Sequence, residues 1–248
     1  MLNFKWVNII FIVTISISLV LIEFEKLEFW SLLIVVFLYL IILFRGVTKI
    51  EKNFFLDSIN HLSHKKRVLL TFDDGPHPEY TPQILHILEK HQAKAVFFVI
   101  GKNAEKYPDL LKEIYQRGHI IANHSYSHDT LFDVFSTKKM ISDIEQANLV
   151  INKILGFKPA YFRPPFGITN PRIKRLVNQT SLISVGWSFR SYDTGKQTND
   201  QIFTKLKQQL KGGEILLFHD NLQRTVSLLK LVLPWLEDDY DITKNDLS

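Results

Sequence analysis

Two apolar runs at the N-terminus set the strongest limit on how this chain can fold. From Phe4 to Ile22 the only charge is Lys5, and the only other polar side chains are Asn8, Thr14, Ser16 and Ser18. A second run extends from Leu27 to Phe44. At about 1.5 Å of helical rise per residue, 18 residues reach roughly 27 Å, close to the ~30 Å of bilayer hydrocarbon, so either run can span. A cleavable signal peptide would end in a small-x-small site. None follows the first run, and the second begins within five residues. The pattern predicts a two-helix membrane hairpin over residues 1–50, in which each helix satisfies its own backbone polar groups. Glu23, Glu25 and Glu28 surround Lys26 between the runs, whereas Arg45, Lys49 and Lys52 follow the second. Cations gather on the cytoplasmic side of membrane segments, which predicts cytoplasmic termini and an outer acidic turn.

Residues 51–64 are polar and mixed, and are expected to form a tether; the remaining domain occupies 65–248. Its pattern alternates. Strand-like runs at Arg67–Phe72, Ala95–Ile100, His119–Asn123, Ala160–Arg163, Leu182–Trp187 and Glu214–Phe218 are separated by helical periodicity. The helices are expected at Pro82–His91, Asp109–Arg117, Lys138–Leu155, Arg172–Asn178, Ile202–Leu210 and Thr225–Leu236. Regular alternation of this kind predicts parallel βαβ units and an α/β fold. With six to seven strands and polar clusters falling just after them, a closed or nearly closed β/α barrel with its site at the C-terminal rim fits best, a doubly wound open sheet being the alternative.

The chain has no cysteine, which excludes disulfides and thiolate metal sites. Its formal charge of +5 comes from scattered lysines, with no arginine-rich stripe to follow a phosphate backbone, so nucleic acid is not an expected partner.

The chemistry concentrates at strand ends. Asp73 and Asp74, ahead of Gly75-Pro76, place two carboxylates side by side, where mutual repulsion raises one pKa unless a cation is near. A turn or a helix cap would also use such residues. His124 and His128 are spaced i, i+4, which brings both imidazoles to one face if the segment turns helically. With Asp74 they make a two-histidine, one-carboxylate set suited to a divalent ion with open positions, Zn²⁺ first and Co²⁺, Fe²⁺ or Ni²⁺ as alternatives. Arg163 precedes two prolines that stiffen its loop. Trp187 and Asp193 follow another strand, and His219, which can titrate near neutrality, ends the last. Together these clusters predict a metal-dependent hydrolase.

The motifs Thr71–Pro76, His124–His128, Arg163–Gly167 and Leu217–His219, with Phe97–Gly101 and Gly118-His119 between them, closely resemble those of the polysaccharide deacetylase family, the NodB-homology or carbohydrate esterase 4 domains. The resemblance covers roughly Lys65 to Leu236. It implies a distorted (β/α)7-type barrel that removes N-acetyl, sometimes O-acetyl, groups from glycans. It also implies Asp73 as general base and Asp74, His124 and His128 as metal ligands. Arg163 would orient Asp73, His219 would be the general acid, and Leu217 would line the acetyl pocket. The backbone amide of Phe166, where the family usually has Tyr, would help to hold the oxyanion, and Trp187 would contact substrate. One motif departs from the family: many members have an Asp-Trp pair that orients the acidic histidine. Here Asp193 lacks the following Trp, and Arg190 has no assigned role. An O-acetyl esterase and a catalytically silent glycan-binding membrane protein are the other readings; the sequence leaves the glycan and the oligomeric state open.

Overall fold

The structure, a computed structural model, describes residues 3–247. Helix α1 (Phe4–Glu23) begins at Asn3, whose side chain accepts the Trp6 backbone N–H at 3.2 Å, and α2 (Trp30–Thr48) returns alongside it. Their outward apolar side chains are exposed, and both helices are long and apolar enough to cross a membrane. Between them the Tyr39 hydroxyl donates to Asn8 Oδ1 at 2.6 Å, which pairs two polar side chains between apolar helix faces.

Both ends of the hairpin are fixed to the domain. The Phe4 N–H bonds to the Phe54 carbonyl at 3.0 Å, and Val7 packs on Phe54 and Phe55. At the far end, Thr169 donates its N–H to the Val47 carbonyl and its hydroxyl to that of Gly46. Gly46 permits this approach, since a Cβ there would collide with the Phe54 ring. The segment expected as a tether is itself packed: Ile59 pairs with Val185, His61 pairs with Glu214, and Leu62 is buried in a core shared with Val96 and Leu217. Apolar residues interspersed among the polar ones of 51–64 explain the packing by burying their surface, and the buried Ser58 and Asn60 make hydrogen bonds.

The domain is a seven-stranded, all-parallel sheet. Its strands are β1 (Leu69–Asp73), β2 (Ala95–Val99), β3 (Ile120–Asn123), β4 (Tyr161–Phe162), β5 (Ile183–Ser184), β6 (Phe189–Arg190) and β7 (Ile215–His219), in the order β5-β4-β3-β2-β1-β7-β6. The central strands β1, β2 and β7 are buried at every position, which is why they read as continuous apolar runs rather than alternating ones. The strand period of two divides them between two cores. Leu70, Phe72, Phe97 and Phe218 join the core packed by helices, while Leu69, Val96, Phe98 and Leu217 fill the inner side.

Only β5 occupies the strand expected at Leu182–Trp187, and β6, which no expected strand covers, follows it at the opposite edge of the sheet. Five Cα steps from Ser184 to Phe189 reach at most about 17 Å. Seven flat strands about 4.8 Å apart would hold their edges about 29 Å apart. The sheet must therefore curl, and it forms an incomplete barrel whose gap is crossed by Val185–Ser188 instead of by a ladder. Helices α3 (Tyr80–Lys90), α5 (Pro108–Gln116), α6 (Thr137–Leu155), α7 (Pro171–Thr180), α8 (Asn199–Gln209) and α9 (Gln223–Asp239) start or end within a few residues of the periodic stretches; the short α4 (Gly101–Lys106) had no periodicity to predict it.

Candidate active site

Parallel strands deliver their C-terminal ends to one rim, so the residues just after β1, β3, β4 and β7 converge there. Register sets Asp73 beside His219 on neighbouring strands. The chain leaves β1 through Asp74 at φ 79°, a left-handed conformation that Asp tolerates better than most residues. Gly75 follows because a Cβ there would strike the Asp220 carboxylate.

His124 Nδ1 lies 2.8 Å from the Arg163 carbonyl. A carbonyl only accepts, so Nδ1 carries the proton and Nε2 keeps its lone pair. His128 reaches the same place through a tight turn rather than the helical turn that the spacing suggested. Ser125 and His128 both have positive φ, Asn123 Oδ1 accepts the Ser125 N–H, and Ser125 Oγ accepts the His128 N–H. Asp74 Oδ1 lies 3.6 Å from His124 Nε2 and 3.4 Å from His128 Nε2, and one ligand atom from each residue falls within 4.8 Å of the others. Burial, then the nearby His124, hold His128 below its usual pKa, which favours the neutral, ligating form. The donor set therefore fits a divalent cation: one carboxylate and two imidazole lone pairs converge, with the tautomer of His124 fixed from behind.

Asp73 stands beside this set, its Oδ2 3.7 Å from His124 Nε2. Its Oδ1 accepts from Arg163 Nη1 at 2.7 Å. Arg163 is fully buried and also donates to Thr71 Oγ1 and to the carbonyls of Val185 and Gly186, with its guanidinium 4.0 Å over the Phe98 ring. The chain crossing the barrel gap thus supplies two of its acceptors. Burial alone lowers the arginine pKa, and the Asp73 charge opposes that shift.

Across the cleft, His219 Nδ1 is 2.8 Å from Asp193 Oδ1, and Thr225 Oγ1 donates to the other carboxylate oxygen at 2.8 Å. Asp193 is buried, and it partners His219 without the tryptophan of the family pattern. Burial pulls the imidazole pKa down, but the hydrogen bond and charge of Asp193, reinforced by Asp73 and Asp74, raise it to about 9. Asp220, fully buried, accepts from Thr81 Oγ1 at 2.7 Å, and its burial pushes it up to about 7.

Eight of the nine expected site residues line one cleft of about 190 Å³; Arg163 is buried behind Asp73. Leu217 and Trp187 form apolar wall, and the Phe166 ring lies 4.8 Å from that of His128. Phe166 sits at φ 60°, a conformation that costs a bulky residue energy and is held here after Pro164-Pro165 and before Gly167, which packs directly on Trp187. Sequence reasoning missed Arg190 and Thr194, which line the cleft, and Thr71, Thr225 and Asp220, which brace it. Thr71 and Asp220 lie inside or beside recognised motifs and could have been flagged by their strand-end position; Thr225 carries no local signal.

Comparison with known proteins gives one consistent picture. The sequence profile described as polysaccharide deacetylase matches residues 61–184. A peptidoglycan-N-acetylglucosamine deacetylase of Bacillus cereus is 36% identical over 179 residues, 70% of this chain and 64% of that relative, so the chain spans slightly under two thirds of it. A second B. cereus protein of the same name is 32% identical over 71% of this chain and 84% of its own length. Among solved structures, the peptidoglycan deacetylase PdaC of Bacillus subtilis superposes with a TM-score of 0.67 at 30% identity, covering 75% of this chain and 89% of that one.

Proposed function

This chain belongs to the polysaccharide deacetylase family, and from that premise we propose that it is a metal-dependent hydrolase that removes N-acetyl groups from a glycan. The observation that carries this reading is the convergence of Asp74, His124 and His128 on one point, flanked by Asp73 on one side and His219 on the other. Asp74, His124 and His128 would hold the ion, zinc first and cobalt, iron or nickel as alternatives. When bound, a divalent cation polarises an amide carbonyl and lowers the pKa of water.

The chain's own residues supply the proton transfers. Asp73 takes the proton of the attacking water, and the Arg163 guanidinium orients its carboxylate through a 2.7 Å hydrogen bond. His219, held protonated by Asp193, delivers a proton to the departing amine. Leu217 and Trp187 give the acetyl methyl an apolar seat, and the Phe166 amide supports the developing oxyanion. Base and acid stand on opposite sides of the ligand set, and Asp193 supplies the environment that holds His219 in its acid form.

The apolar hairpin anchors this catalytic domain to a membrane, with residues 1–50 as the anchor and 65–248 as the deacetylase domain. Acetate release from N-acetylated and O-acetylated glycans by the full-length protein tests the activity. Release from N-acetylated substrates is expected. Release from O-acetyl substrates alone would reassign it as an esterase, and metal binding without any turnover would reassign it as a silent glycan-binding protein.

A further inference from the structure

A second cleft, of about 140 Å³, adjoins the catalytic one, and Trp187 and Arg190 line both. One wall is the foot of the hairpin, with Thr48 ending α2 and Lys49 and Glu51 following it. The other wall is the barrel, with Arg190 on β6 and Lys205 on α8. Three cations, Lys49, Arg190 and Lys205, thus face one carboxylate. None of the three forms an ion pair among the described residues, where lysine and arginine pairs occur elsewhere on the domain.

Two of these cations, Arg190 and Lys205, are also held in place. The Arg190 guanidinium lies 5.3 Å from the Tyr192 ring centre and Lys205 Nζ 4.6 Å from the same ring, while the buried Arg190 Nε has no hydrogen-bond partner. Arg190 is further fixed by its strand pairing with Leu217. Like charges kept close repel, and a bound anion removes that cost. At about 140 Å³ the cleft has room for a group the size of a phosphate.

Position identifies where that group comes from. Lys49 is the first residue after a helix that spans a bilayer, so the cleft opens at headgroup depth, between the membrane and the catalytic residues. Building on the deacetylase and membrane-anchor readings above, we propose that the Lys49–Arg190–Lys205 cleft binds the phosphate of a membrane-held substrate, an acetamido sugar joined through phosphate to a lipid. The sugar then enters the neighbouring catalytic cleft while its carrier stays in the bilayer.

The test uses the full-length, metal-loaded protein in detergent micelles. Acetate release is compared for N-acetylglucosamine carried on a prenyl diphosphate, for the same sugar on uridine diphosphate, and for a neutral N-acetylglucosamine tetramer. The expected KM is lowest for the prenyl-linked sugar, by about tenfold against the tetramer. The double substitution Lys49→Gln/Lys205→Gln is expected to raise that KM about tenfold while leaving the tetramer within about twofold. Equal KM values, or a substitution that affects both substrates alike, would overturn the proposal. A nucleotide-linked sugar used as well as the prenyl-linked one would overturn the lipid source, and so would competition by phosphatidylglycerol micelles at the same concentration as the substrate. If none of the three releases acetate, the activity reading fails. The cleft is then judged by calorimetry with inorganic pyrophosphate: binding that weakens about tenfold in the double variant supports it, and no difference between parent and variant rules it out.

Discussion

Asp193 grips His219 twice: one carboxylate oxygen lies 2.8 Å from the ring Nδ1, and the other accepts the backbone N–H of the same residue at 2.8 Å. The carboxylate thus fixes both the ring and the chain that carries it, and it raises the imidazole pKa to about 9 against the effect of burial. Asp193→Asn removes the charge while keeping the shape. With burial then unopposed by that partner, the alkaline limb of the rate profile is expected to move down by about one pH unit or more, with activity at pH 8 reduced about tenfold or more. An unmoved alkaline limb would assign the acid to another residue.

Asp73 and His124 separate base from ligand. Asp73→Asn is expected to retain bound metal and lose on the order of 10²-fold in turnover, because the amide cannot take water's proton. His124→Ala is expected to lose both metal and turnover. Metal content by atomic emission beside acetate release distinguishes them, and full metal occupancy in His124→Ala would refute the ligand set.

Arg163 is buried with four donor contacts, one of them to the buried Asp73. Arg163→Met leaves that carboxylate and two backbone carbonyls without their donor, and is expected to cost about 3–5 kcal/mol in denaturant unfolding. A loss under about 1 kcal/mol would mean that water enters and replaces the guanidinium.

Much of this site could be read from the chain because it rests on local pattern. Asp73, Asp74, His124, Arg163 and His219 follow continuous apolar runs, and a parallel strand buried on both faces produces such a run whatever its neighbours are. What was not legible depends on tertiary geometry. The turn that brings His128 to Asp74 relies on positive φ at Ser125 and His128, and spacing alone suggested a helix instead. Strand β6 was not expected, because two residues carry no periodicity and their place at the edge opposite β5 follows from sheet curl. The residues 51–64 read as polar because their buried members, Leu56 and Leu62 among them, are interrupted by exposed ones. Asp193 could be suspected as the His219 partner but not assigned, since the two lie 26 positions apart and meet through the β6–β7 pairing.

The His219 pKa also has a stability consequence. The ring is expected to titrate near 6.5 unfolded and about 9 folded, so its contribution is full below pH 6.5 and is lost as pH rises through about 9. His119, which burial lowers to about 4, acts in the opposite direction, but only below 6.5. With metal removed by chelator, the unfolding midpoint is therefore expected to fall between pH 7 and 9.5, and His219→Gln is expected to flatten that fall. A parent protein whose midpoint is level across this range would contradict the Asp193–His219 coupling.

The last prediction concerns the side of the membrane. On the proposed membrane-anchor reading, the packing of the start of α1 and the end of α2 on the domain would put the start of α1 and the catalytic cleft on one side, and the turn between Glu23 and Phe29 on the other. Lys5, Arg45, Lys49 and Lys52 lie on the domain side, against Lys26 alone in the turn. Basic residues flanking short membrane segments stay in the cytoplasm, so the domain is expected there, where a phosphate-linked glycan precursor can be met before assembly. A reporter that fluoresces only in the cytoplasm, fused after Ser248, is expected to be bright. Reversing the bias with Lys49→Glu/Lys52→Glu and two lysines added to the Glu23–Glu28 turn is expected to reduce that signal. A dark but intact fusion of the parent chain would put the catalytic cleft outside, next to finished polymer, and would leave the chemistry of Asp73 and His219 as described.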